Sequence, residues 1–444
     1  MRVSFRGRVL WLPPPALLAL LYFVLILAGT ALLMLPAAQA QPVGLGDALF
    51  MSASAVTVTG LVVVDPGTSF TLFGQAVLMG LIQLGGLGLM VFAALLLLSL
   101  GIGIGLPQRV VLSEELGQGS MRTLRRLAKL IVTVAVVAEL LGASILAVAF
   151  VPVYGWGEGL WQALFHAVSA FNNAGFSLFP DSLMSWAGRP LVCLTIAALF
   201  IAGGLGFVVL NDLWQKRRWR TLSLHSKLML AGTAALLLLS WGLVAALEWR
   251  NPGTLGAIDG TGARLLAAFF EGATPRTAGF NSLDTAAMED ATTVLVMGLM
   301  FVGGGPTSTA GGIKVTTAIV LVLATYAFFR RRESMHAFGR SLGIEEVLKV
   351  MALTTISVAT VFVGLFVLAA VHEGPLFDLF FEVVSAFGTV GLSRGATGDL
   401  DLFGQIVIGG IMFLGRVGPL TLGFFLATRS HPRVGYPRGE VYLG

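Results

Sequence analysis

Of the 444 residues, 56% are hydrophobic and only 11% are charged, against about 25% charged in an ordinary soluble domain, which excludes a water-soluble globular protein. The 28 Lys and Arg against 23 Asp and Glu leave a net charge of +5, and no nucleic-acid partner is expected from it. The single cysteine, Cys193, excludes an intrachain disulfide and a cysteine-clustered metal site, and five scattered histidines supply no ligand-spaced pair.

Apolar runs of about 20 residues recur along the chain, each long enough at about 1.5 Å rise per residue to cross a hydrocarbon core of about 30 Å. The first covers 11–35, behind Arg2, Arg6 and Arg8. A cleaved signal peptide ending near Ala37-Ala38-Gln39-Ala40 is the alternative. The run is too long for one, and each later repeat opens with an equivalent span, so it is read as a retained span. In repeat 1, 11–103, spans 11–35 and 74–100 flank a pore segment at 47–61. The same plan of span, short segment and span follows in repeat 2 at 124–215, repeat 3 at 224–332 and repeat 4 at 344–428, before a tail at 429–444. This predicts an all-α polytopic membrane protein with eight full transmembrane helices and four re-entrant pore helices around a central pore.

The short segments share a register. Each has a phenylalanine, nine residues, then a glycine followed by a large apolar residue: Phe50 to Gly60-Leu61, Phe165 to Gly175-Phe176, Phe269 to Gly279-Phe280, Phe381 to Gly391-Leu392. They are too short to cross a bilayer, and irregular backbone at membrane depth survives only when buried in protein or lining a wet cavity. Backbone carbonyls converging on one axis replace the hydration shell of a cation, and glycine permits the positive φ and close approach this needs. The candidate ion-binding residues are therefore Thr57, Val58, Thr59 and Gly60; Asn172, Asn173, Ala174 and Gly175; Arg276, Thr277, Ala278 and Gly279; and Gly388, Thr389, Val390 and Gly391. The competing reading, four helix-packing glycines among 56, accounts poorly for the common register.

Basic clusters fall at the N-terminus, at Arg122 to Lys129, at Lys216 to Arg220, at Arg330-Arg331-Arg332 and in the tail at Arg429, Arg433 and Arg438. The positive-inside rule puts these junctions, and both termini, in the cytoplasm of a cytoplasmic-membrane protein. Acids including Asp65, Asp181, Asp284 and Asp399 fall on the opposite side, where they would concentrate cations at the outer mouth.

Repeat 3 departs from the plan. Its second span contains Gly303-Gly304-Gly305-Pro306-Thr307-Ser308-Thr309-Ala310-Gly311-Gly312-Ile313-Lys314, in which five glycines and a proline forbid a continuous helix. The expected result is one broken span with a gate loop, 303–314, in the conduction path. Gly303, Gly304, Gly305, Thr307, Ser308, Thr309, Gly311, Gly312 and Lys314 are its candidate residues. Arg416 in the last span joins them, because an intramembrane charge is costly and marks function by default. Lys314 and Arg416 could instead snorkel or pair structurally.

The fourfold plan, the filter glycines, the Gly-Gly-Gly-x-x-Ser-Thr-Ala-Gly-Gly-Ile-Lys loop and the arginine of the last span resemble the Trk/Ktr/HKT superfamily of potassium transporters, over about residues 10–444. Within it the chain is most similar to the B-type membrane subunits of the Ktr branch, having no extra N-terminal helix pair and ending Glu440-Val441-Tyr442-Leu443-Gly444. Pro306 and Thr307 depart from the smaller residues expected in the loop. The resemblance implies a potassium-channel-like fold, potassium uptake with or without sodium coupling, K⁺ at the filter as the only metal, and no bound cofactor. It also implies a homodimer in membrane lipid, regulated by a cytoplasmic ring of nucleotide-binding RCK subunits contacting 106–123 and 330–340. Gly60, where sodium-transporting plant members carry serine, implies potassium preference.

Two rival classes remain. A rocking cation symporter would show broken helices in paired positions, whereas one break is expected here. A membrane-embedded enzyme would need convergent acid, base or nucleophile inside the spans, and only Glu139 and Arg416 lie well inside apolar runs. Glu139 reads as a packing or hydrogen-bonded acid. Neither 305–314 nor the Gly-Leu-Gly pairs have phosphate-loop or dinucleotide spacing.

Overall fold

The computed structural model describes residues 2–5, 8–11, 14–88, 121–332 and 334–427. The expected end of repeat 1 beyond residue 88, most of the 106–123 face and the 429–444 tail lie outside the described residues.

In hydrocarbon each backbone N–H and C=O must find its partner within its own segment, so long apolar stretches fold as helices. In chain order these are α1 (Pro14–Leu33), the short α2 (Leu45–Thr57), α3 (Leu72–Gly86), α4 (Met121–Phe171), α5 (Pro190–Leu205), α6 (Phe207–Lys216) and α7 (Leu224–Glu248). There follow the short α8 (Thr261–Ala273), α9 (Asp290–Phe301), α10 (Val315–Phe329), α11 (Ile344–Val371), the short α12 (Leu376–Gly388) and α13 (Leu402–Ala427). Local chemistry sets several starts. Thr71 accepts from the Gly74 N–H and Ser223 from the Ser226 N–H as N-caps, and Pro190 occupies the first turn of α5. Within α4, Gly155 (φ 81°) breaks the helix three residues after Pro152, so a long helix is followed by a short one ending at Phe171.

By length and composition α4, α7 and α11 are each long and apolar enough to cross a membrane, and α5 with α6 makes a fourth if the bent pair is one span. Their outward faces carry large apolar side chains, Leu238 at 65% and Phe366 at 74% exposure among them, which water would penalise and lipid accepts. The chain is thus a predominantly helical membrane protein.

Two features correct the sequence reading. The fold is not purely helical: β1 (Arg2–Phe5) pairs with β2 (Arg8–Trp11), and β3 (Met335–Ala337) with β4 (Arg340–Leu342), both antiparallel. The second hairpin turns on Phe338 and Gly339, both at positive φ, as a two-residue connection between twisted strands demands. The expectation of a single broken span also fails. Besides the non-helical stretch between α9 and α10, α5 and α6 meet at Gly206 (φ 95°) with a bend of 95°. A Cβ on Gly206 would lie 2.6 Å from the Pro306 carbonyl oxygen, so the two breaks pack on each other and are one feature.

The short helices sit at the centre. Phe50, Phe165 and Phe381 are buried, and Phe269 meets Trp241 edge to face at 5.8 Å. Six residues past the phenylalanine, the carbonyls of Val56, Phe171 and Phe387 abut Gly85, Gly203 and Gly415 of the following long helices. No side chain fits at those glycines, so these three short helices seat directly on backbone.

Candidate functional site

Each short helix ends in the same irregular turn. The residue two before the glycine is left-handed in all four, at Val58 (φ 57°), Asn173 (φ 58°), Thr277 (φ 67°) and Thr389 (φ 50°), and the glycines follow at φ 94°, 69°, 75° and 95°. Two positive-φ residues so close reverse the backbone sharply, a course only glycine takes without strain at the second position.

The four turns touch in a closed ring. A Cβ on Gly60 would strike the Ala174 carbonyl oxygen and lie 3.2 Å from the Gly175 Cα; on Gly175 it would lie 2.8 Å from the Gly279 Cα. On Gly279 it would strike the Val390 carbonyl oxygen, and on Gly391 the Thr59 carbonyl oxygen, 2.9 Å from the Gly60 Cα. Thus the last turn meets the first. The sequence-predicted residues Thr59, Gly60, Ala174, Gly175, Ala278, Gly279, Val390 and Gly391 are brought together. Above the ring a cavity of about 340 Å³ is lined by all four glycines with Asp65, Asp181, Ser177, Asn281 and Ser393.

The remaining predicted residues sit behind or below this ring. Thr57 Oγ1 lies 2.8 Å from Thr59 Oγ1 and donates to the Ala53 carbonyl at 2.7 Å. Asn172 turns its side chain away to Gln83 and Glu139. The buried Arg276 guanidinium donates to Thr233 Oγ1 at 3.3 Å. Gly388 packs on the Met300 carbonyl, and Thr389 lies against Gly311 of the broken span.

Side chains that sequence reasoning missed hold the ring from behind. Ser54 Oγ accepts from the Gly60 N–H and Ser385 Oγ from the Gly391 N–H, both at 3.1 Å. Ser169 Oγ donates to the Phe176 carbonyl at 2.8 Å, and Thr274 Oγ1 to that of Phe280 at 2.5 Å. The available signal was a serine four residues after the phenylalanine in three of the four segments. Beyond the glycines, buried carboxylates tether the returning chain. Glu271 accepts from the Ser282 N–H at 3.1 Å and the Leu283 N–H at 3.3 Å; Glu382 accepts from Ser393 Oγ at 2.7 Å, the Arg394 N–H at 2.8 Å and Thr397 Oγ1. His166 does the same beyond the second glycine, with Nε2 2.9 Å from Ser177 Oγ.

The segment between α9 and α10 lies against the ring turns. A Cβ on Gly303 would lie 3.1 Å from Thr277 Cγ2, on Gly312 3.3 Å from the Gly388 Cα, and on Gly311 2.9 Å from Thr389 Cγ2. Thr307 is left-handed (φ 54°), and its carbonyl accepts from the Phe207 N–H at 3.0 Å. The Gly305 N–H donates to the Gly204 carbonyl at 2.8 Å, and Ser308 Oγ to the Gly305 carbonyl at 2.6 Å. The Gly304 carbonyl accepts from the Val315 N–H at 3.0 Å. Two cations hold consecutive carbonyls of the loop: Arg416 donates to Thr309 O, and Lys314 to Ala310 O at 2.7 Å and Gly311 O at 3.5 Å. Arg416 also donates to the Gly85 carbonyl at the end of α3, so it is bonded across three elements.

Comparison with known proteins follows the same lines. The family model described as TrkH, cation transport protein, matches residues 21–432. The chain is 48% identical over 431 residues to the Ktr system potassium uptake protein B of Bacillus subtilis (strain 168), covering 97% of both chains. It is 43% identical to the protein of the same name from Vibrio alginolyticus, covering 97% of this chain and 95% of the relative. The fold superposes on the crystal structure of the potassium transporter TrkH from Vibrio parahaemolyticus with a TM-score of 0.74 at 21% identity, over 95% of this chain and 87% of the other. The enzyme alternative has no support among these relatives, and the chain belongs to the TrkH family of cation transport proteins.

Proposed function

We propose that this protein takes up potassium across the cytoplasmic membrane through the ring of four glycine turns, which acts as its selectivity filter. The observation that carries the reading is closure of the ring within one chain. Four pairs of left-handed residues bring backbone carbonyls from four segments to one constriction beneath a cavity carrying Asp65 and Asp181, the arrangement that replaces a cation's hydration shell. The layout is four repeats and eight spans, both termini cytoplasmic. The loop 303–314, pinned by Arg416 and Lys314, is the gate. The names of the relatives, potassium uptake proteins of a Ktr system, support a chain that works with a partner, which we read as a homodimer on a cytoplasmic nucleotide-binding RCK ring, to which 330–340 is offered.

A second reading, the rocking symporter, gains from the break at Gly206, since repeats 2 and 3 are both interrupted at one level. Single-channel recording in planar bilayers separates the two, for resolved unitary currents belong only to a continuous pore. The filter itself is tested in cells lacking potassium uptake, grown at low external potassium with and without an RCK partner. The wild-type chain should restore growth, and Gly60→Ser or Gly391→Ser should admit sodium. Wild-type ion preference in both well-expressed variants defeats the filter assignment.

A further inference from the structure

Glu139 lies midway along the long part of α4, buried at 6% exposure and far from any ring turn in sequence. Both of its carboxylate oxygens are used: Oε2 accepts from Gln83 Nε2 at 3.3 Å and Oε1 from Asn172 Nδ2 at 3.1 Å. Asn172 Nδ2 also lies 2.7 Å from Gln83 Oε1 and 2.9 Å from the Val168 carbonyl, so its two hydrogens are shared among three acceptors. Three side chains from three elements therefore close a triangle. Asn172 immediately precedes the left-handed Asn173 of the second ring turn. Its Oδ1, buried and without a hydrogen-bond partner, is pressed against Gly86, where a Cβ would lie 2.6 Å from Asn172 Cγ. Asn172 cannot flip, because its oxygen would then face the acceptors of Gln83 and Val168. Gln83 is two and three residues before Gly85 and Gly86, whose carbonyls Arg416 engages.

We infer that Glu139 is a positioning residue for selectivity: through Gln83 and Asn172 it fixes the start of the second ring turn, and so the carbonyls of Asn173 and Ala174. The inference rests on reading the ring as the filter. Its logic is a count of donors and acceptors. A carboxylate is acceptor only, so it can face two amide N–H groups at once. Glutamine at 139 would present an NH2 donor in place of one oxygen, and neither orientation avoids a donor facing a donor. Exchanging the two residues removes the conflict. With Glu139→Gln and Gln83→Glu together, the amide introduced at position 139 donates to the carboxylate introduced at position 83 and accepts from Asn172, which still reaches an acceptor at 83. All three bonds survive with one reversed.

The test measures potassium and sodium flux in proteoliposomes of the full chain, with thermal unfolding in parallel. Glu139→Gln should lower the potassium to sodium preference about fivefold to tenfold, the scale of one lost buried hydrogen bond, while maximal potassium flux stays within about twofold. The double exchange should restore the preference. Wild-type preference in Glu139→Gln overturns the inference, as does a double variant of normal thermal stability that keeps the altered preference. Should Glu139→Gln fail to insert, Gln83→Met, which removes the partner at similar volume, must shift preference in the same direction or the inference falls. Gly60→Ser in the same assay tells the two failures apart. If it shifts preference and Glu139→Gln does not, only the positioning role is lost; if neither does, the filter reading has failed.

Discussion

Thr309 of the loop and Asn173 of the second ring turn are bonded side chain to side chain, Oγ1 to Oδ1 at 2.8 Å, so the two levels that the sequence keeps apart are in direct contact. The Thr309 proton is shared with the Phe171 carbonyl at 3.3 Å. Thr309→Val keeps the shape and leaves a buried amide oxygen unpaired, a cost of about 1–3 kcal/mol. Potassium flux without partner should rise and ion preference should fall, while Thr309→Ser stays close to wild type. Isotope flux of rubidium and sodium reads both quantities.

Arg416 spans from α13 to the loop at Thr309 and to α3 at Gly85. Arg416→Ala frees the loop on both sides, and passive flux should increase several-fold. Arg416→Lys should recover only part of the restraint, because an ammonium lacks the planar fork whose separate nitrogens reach the loop at Thr309 and α3 at Gly85 together. If both variants conduct as wild type does, Lys314 alone holds the loop.

Gly391 sits at φ 95° with the Thr59 carbonyl where a Cβ would go. Gly391→Ala combines backbone strain of about 1–3 kcal/mol with displacement of that carbonyl. It should reduce potassium preference and also weaken thermal stabilisation by potassium. Gly298, on the neighbouring α9 with open space beside it, is the matched control, and Gly298→Ala should change neither.

Glu382 satisfies the Arg394 N–H and the Ser393 and Thr397 hydroxyls. Glu382→Ala strands these donors in a buried site, so unfolding in detergent should come several degrees lower, consistent with about 2–4 kcal/mol for donors left unsatisfied. Glu382→Gln, which keeps one acceptor, should lose less. Equal stability of all three proteins would show that water replaces the carboxylate.

Much of this was legible because it was written locally. A phenylalanine ten residues before a glycine is a covalent spacing, and five glycines with Pro306 forbid a helix whatever surrounds them. The second break was not legible. Gly206 stands in an apolar run like many packing glycines, and the Pro306 carbonyl that leaves it no room for a side chain is about a hundred residues away. The same holds for Glu139, which the sequence reads as a packing or hydrogen-bonded acid but cannot pair. Gln83 and Asn172 are remote in the chain, and only the seating of α3 and α4 around the second short helix brings them within reach. Arg276 shows the converse limit, for it occupies a ring-adjacent position by register while its side chain turns back toward Thr233.

Because the ring closes from Gly391 back to Gly60 inside one polypeptide, the conduction path proposed through it would be inherited whole from a single gene copy. In a pore assembled from four separate subunits, one defective copy spoils most of the assemblies it enters. Here a lesion such as Gly391→Ala remains confined to the molecule that carries it. A cell expressing wild-type and defective alleles equally should retain about half of its transport rather than a small remnant, so loss of function in this protein should behave as recessive.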